Sequence, residues 1–447
     1  MSTLKSVPEI EVGILSAREI HFTLNSDFYA GSHGYINGEW KATFSYGTIA
    51  LENGEQKIED AAGMVLIPQD KNTSSFTVHS VVIGVEFHWQ RNEDQVFRGK
   101  LRLIVEDDRL TLINILSVEE YLISVISSEM SAGSSEALLK AHAVISRGWL
   151  LAQMQKRNSL NKAEQAYITH FRSDDEIIRW YDREDHKHYD VCADDHCQRY
   201  QGITRASSPV VRKVINDTFG EVLTFNGLIC DTRFYKCCGG VTELFENVWE
   251  PVNHPYLESI TDYSSAPDGY NTDLSNESDA KLWIEGRPEA FCNTTDKKIL
   301  SQVLNDYDQE TRDFYRWKVS YSQDELSDLV RARTGIDFGT IINLLPIERG
   351  VSGRIKKLKI EGTKKKMTIG KELEIRKALS KSHLYSSCFV VDKKQDGKSV
   401  TFTLIGAGWG HGVGLCQIGA AVMGARGYDY RQILTHYFRG ANLEKMY

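Results

Sequence analysis

The sequence predicts an α+β fold, on three observations. Residues 8 to about 115 alternate short runs of period-two apolar patterning with turn residues, as strands covering one face of a core require. From Val118 to Leu151 apolar residues recur at three- and four-residue spacing, the period of a helix. Beyond residue 209, strand-like and helix-like segments follow one another in short stretches. The boundaries expected are a β-rich N-terminal platform over 1–115 and a second region over 116–447 with insertions near 152–189 and 263–316. No repeat of solenoid length is visible.

Taken in order, the strand candidates are EIEVGIL, IHFTLN, FYAGSHGYINGEWKATF, GMVLIPQ, SFTVHSVVIGVEFHW, KLRLIVEDDRL and TLINILS. Asn37-Gly38 and Asn53-Gly54 read as hairpin turns. This platform leads into VEEYLISVISSEMSAGSSEALLKAHAVISRGWLL, where Val118, Tyr121, Leu122, Val125 and Ile126 mark one apolar stripe. Continuing that stripe lands on Glu129, an acid where a core residue is due. Gly133 can end the helix in a left-handed conformation, and Ser134 or Ser135 can cap a second helix with Glu136 in its first turn. A carboxylic acid on an apolar face loses hydration, which favours its protonated form and suits a general acid. Along the second helix Lys140 and Arg147 share a strip beside the apolar face. An ordinary helix-end Glu with a surface Lys and Arg is the other reading of the same pattern.

From Ala152 to Tyr189 the pattern is helical and then strongly polar, which reads as an exposed insertion. Next, His186, His188, Cys192, His196 and Cys197 fall within twelve positions, and thiolate with imidazole suits zinc. The four residues between Cys192 and Cys197 fit a ligand pair, and equally two buried thiols beside solvated histidines. After strand-like EVLTFNG and CDTRFYK come Cys238-Gly239-Gly240, then a loop with helices near Trp283 and over 299–304. WKVSYS, a helix over Glu325 to Thr334, a strand pair in RIKKLKIEG and KKMTIG, and a helix over Glu372 to Leu379 follow. Finally a strand runs into Gly406, Gly408, Gly410, Gly412 and Gly414, a density that lets backbone approach a ligand closely and sets Trp409 and His411 in the loop. A phosphate-cradling loop would need Gly-x-x-x-x-Gly-Lys-Ser/Thr, which is missing. Ile433, Leu434, Tyr437 and Phe438 form the last amphipathic stripe.

The 447 residues carry a net charge of -8 with no long basic stripe, which argues against a general nucleic-acid binder. No apolar run reaches membrane-spanning length, and the opening MSTLKSVPEIEVGILS has neither the apolar core nor the cleavage site of a signal peptide. The eight cysteines are scattered, and adjacent Cys237 and Cys238 suit no simple pairing, so mostly free thiols are expected.

Three motifs in order resemble the stage II sporulation protein D / LytB-type domain family. SSEMSAGSSEALLKAHAVISRGWLLAQ resembles its Glu-Met signature, YKCCGGVTELFENVWEPVNHPYLESITD its middle motif, and GAGWGHGVGLCQIGAAVMGARGYDYRQILTHYFRGANL its C-terminal hallmark. The sequence departs from the pattern in having Ser and Ala where a Pro often flanks the Glu-Met pair, Cys416 where Ser is common, and Cys237-Cys238 before the glycine pair.

The resemblance implies an α+β core whose helix-turn-helix carries a catalytic Glu129. It implies lytic transglycosylation: cleavage between N-acetylmuramic acid and N-acetylglucosamine in peptidoglycan glycan strands stripped of stem peptides, leaving 1,6-anhydro products. The muramyl 6-hydroxyl attacks in place of water, so one carboxylate serves as acid and then base. Lys140 and Arg147 are then candidates to orient Glu129 or contact sugar, with His411, Gln417 and Tyr437 lining the cleft. Family members with a His, Cys, His-Cys-Gln-x-Tyr segment bind zinc. On that basis His186, Cys192 and Cys197 are the expected ligands, with His188 as the substitute for His186 and His196 a neighbour facing the cleft. The competing expectation is a glycan-binding enhancer of a cell-wall amidase. A zinc hydrolase lacks a His-Glu-x-x-His segment to support it. A wall substrate implies the cell envelope or periplasm, reached after loss of a leader or by another route, with a role inside the cell also open.

Overall fold

The computed structural model describes residues 6–60, 63–84, 91–131, 133–160, 168–181, 186–194, 196–204, 208–303 and 313–447. Its architecture is α+β. Ten N-terminal strands and the short strand Val191–Cys192 form an eleven-stranded sheet among the described residues. Glu9–Ala17 pairs antiparallel with Arg109–Ser117, which pairs with Lys100–Glu106, so the first strand and the one entering the helical unit are neighbours. On the other side of Glu9–Ala17 lies the short strand Val191–Cys192, parallel to it.

Asn53-Gly54 does connect two strands, Thr48–Glu52 and Lys57–Asp60, and the Asn53 side chain accepts backbone N–H bonds from Glu55 and Gln56. Asn37-Gly38 does not form a turn. It lies inside the strand Tyr35–Ser45, where the register against Glu19–Tyr29 shifts and Gly38 takes φ +80°, so its positive φ serves an irregularity in the ladder.

Ser117 caps α1 (Val118–Glu129), its side chain accepting from the Glu120 N–H. The apolar stripe is buried as its spacing requires, with Val118, Tyr121, Leu122, Val125 and Ile126 all inaccessible. α1 ends in extended backbone at Met130, and Gly133 does not enter the left-handed region. The turn is held from outside instead: Gln302, on the helix Lys297–Val303, accepts from Ser131 N, Ser134 Oγ and Ser135 N. α2 (Glu136–Leu160) then starts with the Ser135 hydroxyl accepting from Leu138 N.

The polar insertion expected near 152–189 is in part a strand pair, His170–Arg172 with Glu176–Arg179. Glu176–Arg179 joins Lys366–Gly370 in a five-stranded sheet with Ile355–Gly362 and Ile341–Arg349. Its acidic run Asp182 to Asp185 lies outside the described residues. The strands Phe234–Tyr235 and Leu415–Cys416 pair in parallel and bring the glycine-rich segment against the middle of the chain. Among the described residues no helix is long and apolar enough to cross a membrane.

Candidate active site

These pairings enclose a cavity of about 530 Å³. Ligand sites commonly fall between about 300 and 1,000 Å³. Glu129 reaches it from the end of α1 and Trp149 from α2. One wall is the loop His196 to Arg199, another the strand Arg233 to Lys236, and the far side is His383 to Tyr385 with Trp409, Gly410 and His411. Glu129 is the one carboxylate among the described residues that line the cavity. Around it stand the cations Arg199, Arg233, Lys236 and Arg376 and the aromatic rings Trp149, Trp249, Tyr385 and Trp409.

Glu129 is fixed by its neighbouring loop. The Arg199 N–H donates to Glu129 Oε1 at 3.2 Å. That loop is tied to the helices by Gln198, which accepts from Tyr121 Oη and donates to the Ser146 carbonyl, each at 3.3 Å, and by Gln201 N, which donates to Ser124 Oγ. Arg233 is held bidentately by Asp231 at 2.7 and 2.9 Å and lies over the Trp249 ring.

His411 lines the cavity as expected. Its Nε2–H donates to the Phe234 carbonyl at 2.9 Å, while Nδ1 accepts from Val413 N at 3.1 Å, so both nitrogens are engaged and the tautomer is set. Burial, helped by the Arg233 charge, holds its pKa well below the usual imidazole range. It is a neutral wall group, its ring against Tyr235 and Trp249. Gln417 also lines the cavity, its amide 3.2 Å from His142 Nε2. Burial drops the His142 pKa to about 3, with Lys236 adding to it, so this second imidazole is neutral as well.

Three of the expected residues stand elsewhere. Lys140 pairs with Glu136 at 2.7 Å and Asp217 at 2.9 Å, away from the cavity. Arg147 is fully buried, with Nε and Nη2 on the two oxygens of Glu119 at 2.9 and 2.8 Å. Tyr437 is buried and donates to Asp262 Oδ1 at 2.6 Å. Its amphipathic stripe correctly announces burial, but the face it covers is turned from the cavity. The cationic wall of Arg199, Arg233 and Arg376 was not foreseen, since it is assembled from loops and a strand pairing that no local periodicity reports.

His186, Cys192, His196 and Cys197 bring one ligand atom each within 4.8 Å of one another, a donor set that suits a tetrahedral metal. His196 thus both faces the cavity and completes the set, whereas His188 lies 3.8 Å from Glu106 and apart from the cluster. The signal in the sequence was the His196-Cys197 pair, four residues after Cys192. The Cys197 sulfur, then His186 and His196, hold the Cys192 thiol well below its usual range against the cost of burial. Tyr189 stacks on His186 at 4.5 Å and packs on Gly13, which fastens the cluster to the first strand.

The glycine-rich wall gives a first prediction. Gly414 has φ +84°, and a Cβ there would lie 2.2 Å from the Arg233 carbonyl oxygen. Gly414→Ala is expected to cost at least about 1–3 kcal/mol from backbone strain alone, read as a lower urea midpoint with an unchanged slope.

Residues 106–225 match the family model described as Stage II sporulation protein, and residues 243–414 match a domain of unknown function. The cavity therefore draws Glu129 and the His196 loop from the first match and much of its far wall from the second. The chain is 24% identical over 347 residues to an uncharacterized protein of Brachyspira hyodysenteriae, covering 78% of this chain and 72% of that one. It is 22% identical over 337 residues to stage II sporulation protein D of Bacillus amyloliquefaciens, covering 74% and 75%. To the amidase enhancer of Bacillus subtilis it is 25% identical over 246 residues, 52% of this chain but 32% of that protein. Glu129 and the four-residue cluster lie inside the stretch that matches, so the chain carries a segment similar to the stage II sporulation protein family model.

Proposed function

We propose that the cavity cleaves peptidoglycan glycan strands as a lytic transglycosylase. The observation that carries this reading is the single carboxylate in a cavity walled by aromatic rings and cations. Hydrolytic glycosidases use two carboxyl groups about 5–9.5 Å apart, whereas Glu129 has no acidic companion among the described lining residues. An intramolecular attack by the muramyl 6-hydroxyl needs none: Glu129 protonates the leaving glycosidic oxygen, and its carboxylate then takes the hydroxyl proton. Trp249, Tyr385 and Trp409 offer faces for sugar rings, and Arg199, Arg233 and Lys236 suit the lactyl carboxylate of a strand without stem peptides. Zinc, held by His186, Cys192, His196 and Cys197, would pin the loop whose Arg199 N–H orients Glu129. Such a substrate places the working protein outside the cytoplasm.

The test is mass spectrometry of products from purified peptide-free strands. Terminal 1,6-anhydro-N-acetylmuramic acid is expected. Ordinary reducing ends would mean hydrolysis and a second acid elsewhere. The amidase-enhancer relative favours a second reading, in which the cavity binds strands and stimulates a partner amidase; binding without any cleavage would select it.

The zinc gives a further prediction. Cys197→Ser is expected to lose one zinc per chain, and glycan cleavage is expected to fall about 10- to 100-fold, the usual scale for disturbed support of a site. Metal analysis alongside the product assay checks both.

A further inference from the structure

Behind the cavity wall four side chains from distant parts of the chain converge in the core. Cys238 stands in the turn before Gly239, Asp262 immediately precedes the insertion near 263–316, Cys292 lies within it, and Cys416 precedes the helix Gln417–Ala425. All are at most 2% exposed. Their ligand atoms lie within 4.8 Å of one another, with Cys238 Sγ 3.3 Å from both Cys292 Sγ and Asp262 Oδ2. Sulfurs around one tetrahedral zinc, at Zn–S of about 2.3 Å, stand about 3.8 Å apart. The set therefore needs only small adjustments to close on a single ion.

Two further features point to a cation. Asp262 is fully buried, and no Lys, Arg or His among the described residues forms an ion pair with it. A buried carboxylate is costly without a positive partner. In addition, N–H and O–H donors surround the ligands as they do around metal-bound thiolate and carboxylate: Cys238 N donates to Cys416 Sγ and Gly240 N to Cys238 Sγ, both at 3.2 Å, Cys292 N to Asp262 Oδ2 at 2.9 Å, and Tyr437 Oη to Asp262 Oδ1 at 2.6 Å. A disulfide between Cys238 and Cys292 would use two of these groups and leave Cys416 and Asp262 buried beside it.

We infer that Cys238, Asp262, Cys292 and Cys416 form a second metal site, closed and structural, for one thiophilic divalent cation of the zinc class. With four protein ligands and no route to solvent, it has no open position for chemistry. It clips the middle motif and the C-terminal helix to the segment between them, behind the wall that carries Trp409 and His411. Tyr437, expected to line the cleft, serves here as a donor to a ligand.

The experiment counts metal in the full chain, purified with zinc present, by elemental analysis and native mass spectrometry. Wild type is expected to carry two zinc ions, Cys416→Ser one, and Cys192→Ser/Cys197→Ser one. Where Cys416→Ser fails to fold, the Cys192→Ser/Cys197→Ser chain is loaded with cobalt(II), and a thiolate-to-cobalt charge-transfer band at one equivalent is expected. A wild type with one zinc that vanishes in the Cys192→Ser/Cys197→Ser chain would overturn the inference. So would the absence of that band, or a linked Cys238–Cys292 peptide under non-reducing conditions.

Discussion

Glu129→Gln is expected to lower glycan cleavage roughly 10²- to 10⁴-fold, the range that general acid–base catalysis contributes, while the melting temperature and the affinity for peptide-free strands stay close to wild type. Glutamine keeps the side-chain oxygen that accepts the Arg199 N–H at 3.2 Å, so that tie to the loop is retained. What it cannot do is deliver a proton to the leaving oxygen and then remove one from the attacking hydroxyl. In the proposed route both steps fall on this residue, and no other acid among the described lining residues can substitute. The loss should therefore appear in kcat, with KM little changed. Retention of more than about a tenth of the wild-type rate would remove Glu129 from the chemistry. A parallel collapse of glycan affinity would make it a binding group and favour the enhancer reading.

The helical unit was legible because its two periodicities are strong and its polar exception is local: Glu129 continues the stripe of Tyr121, Leu122, Val125 and Ile126, and it emerges at the cavity. Lys140 and Arg147 show the limit of that signal. They share a strip of α2, yet one sits beside Glu136 and Asp217 and the other is sealed against Glu119. Periodicity gives a face, and only the tertiary fold says what covers it. The candidate metal cluster was partly legible from spacing, which gave His186, Cys192 and Cys197, but His196 joins them only because the strand Val191–Cys192 docks on Glu9–Ala17 and brings that loop round. The second cysteine cluster was hidden altogether, because residues 238, 262, 292 and 416 meet only through long-range pairing such as Phe234–Tyr235 with Leu415–Cys416.

Arg147→Ala is expected to destabilise the fold by about 3–5 kcal/mol, the cost of breaking a buried pair and leaving the other charge unpaired. Arg147 is fully buried and binds both oxygens of Glu119, and its Nη1 also donates to the Glu221 carbonyl at 2.9 Å. Removing it would leave Glu119 in the core with only the Tyr447 hydroxyl and the Gly220 N–H as donors among the described residues. Lys140→Ala, by contrast, removes partly exposed pairs with Glu136 and Asp217 and is expected to cost no more than about 1 kcal/mol. Urea denaturation of both variants measures the difference directly. Replacing the pair together, Arg147→Met with Glu119→Gln, should recover much of the loss, since no buried charge is then stranded. The cycle of single and double variants gives the coupling energy. Near-native stability for Arg147→Ala, combined with loss of glycan cleavage, would return Arg147 to the active site and mean that α2 turns toward the cavity when the substrate binds.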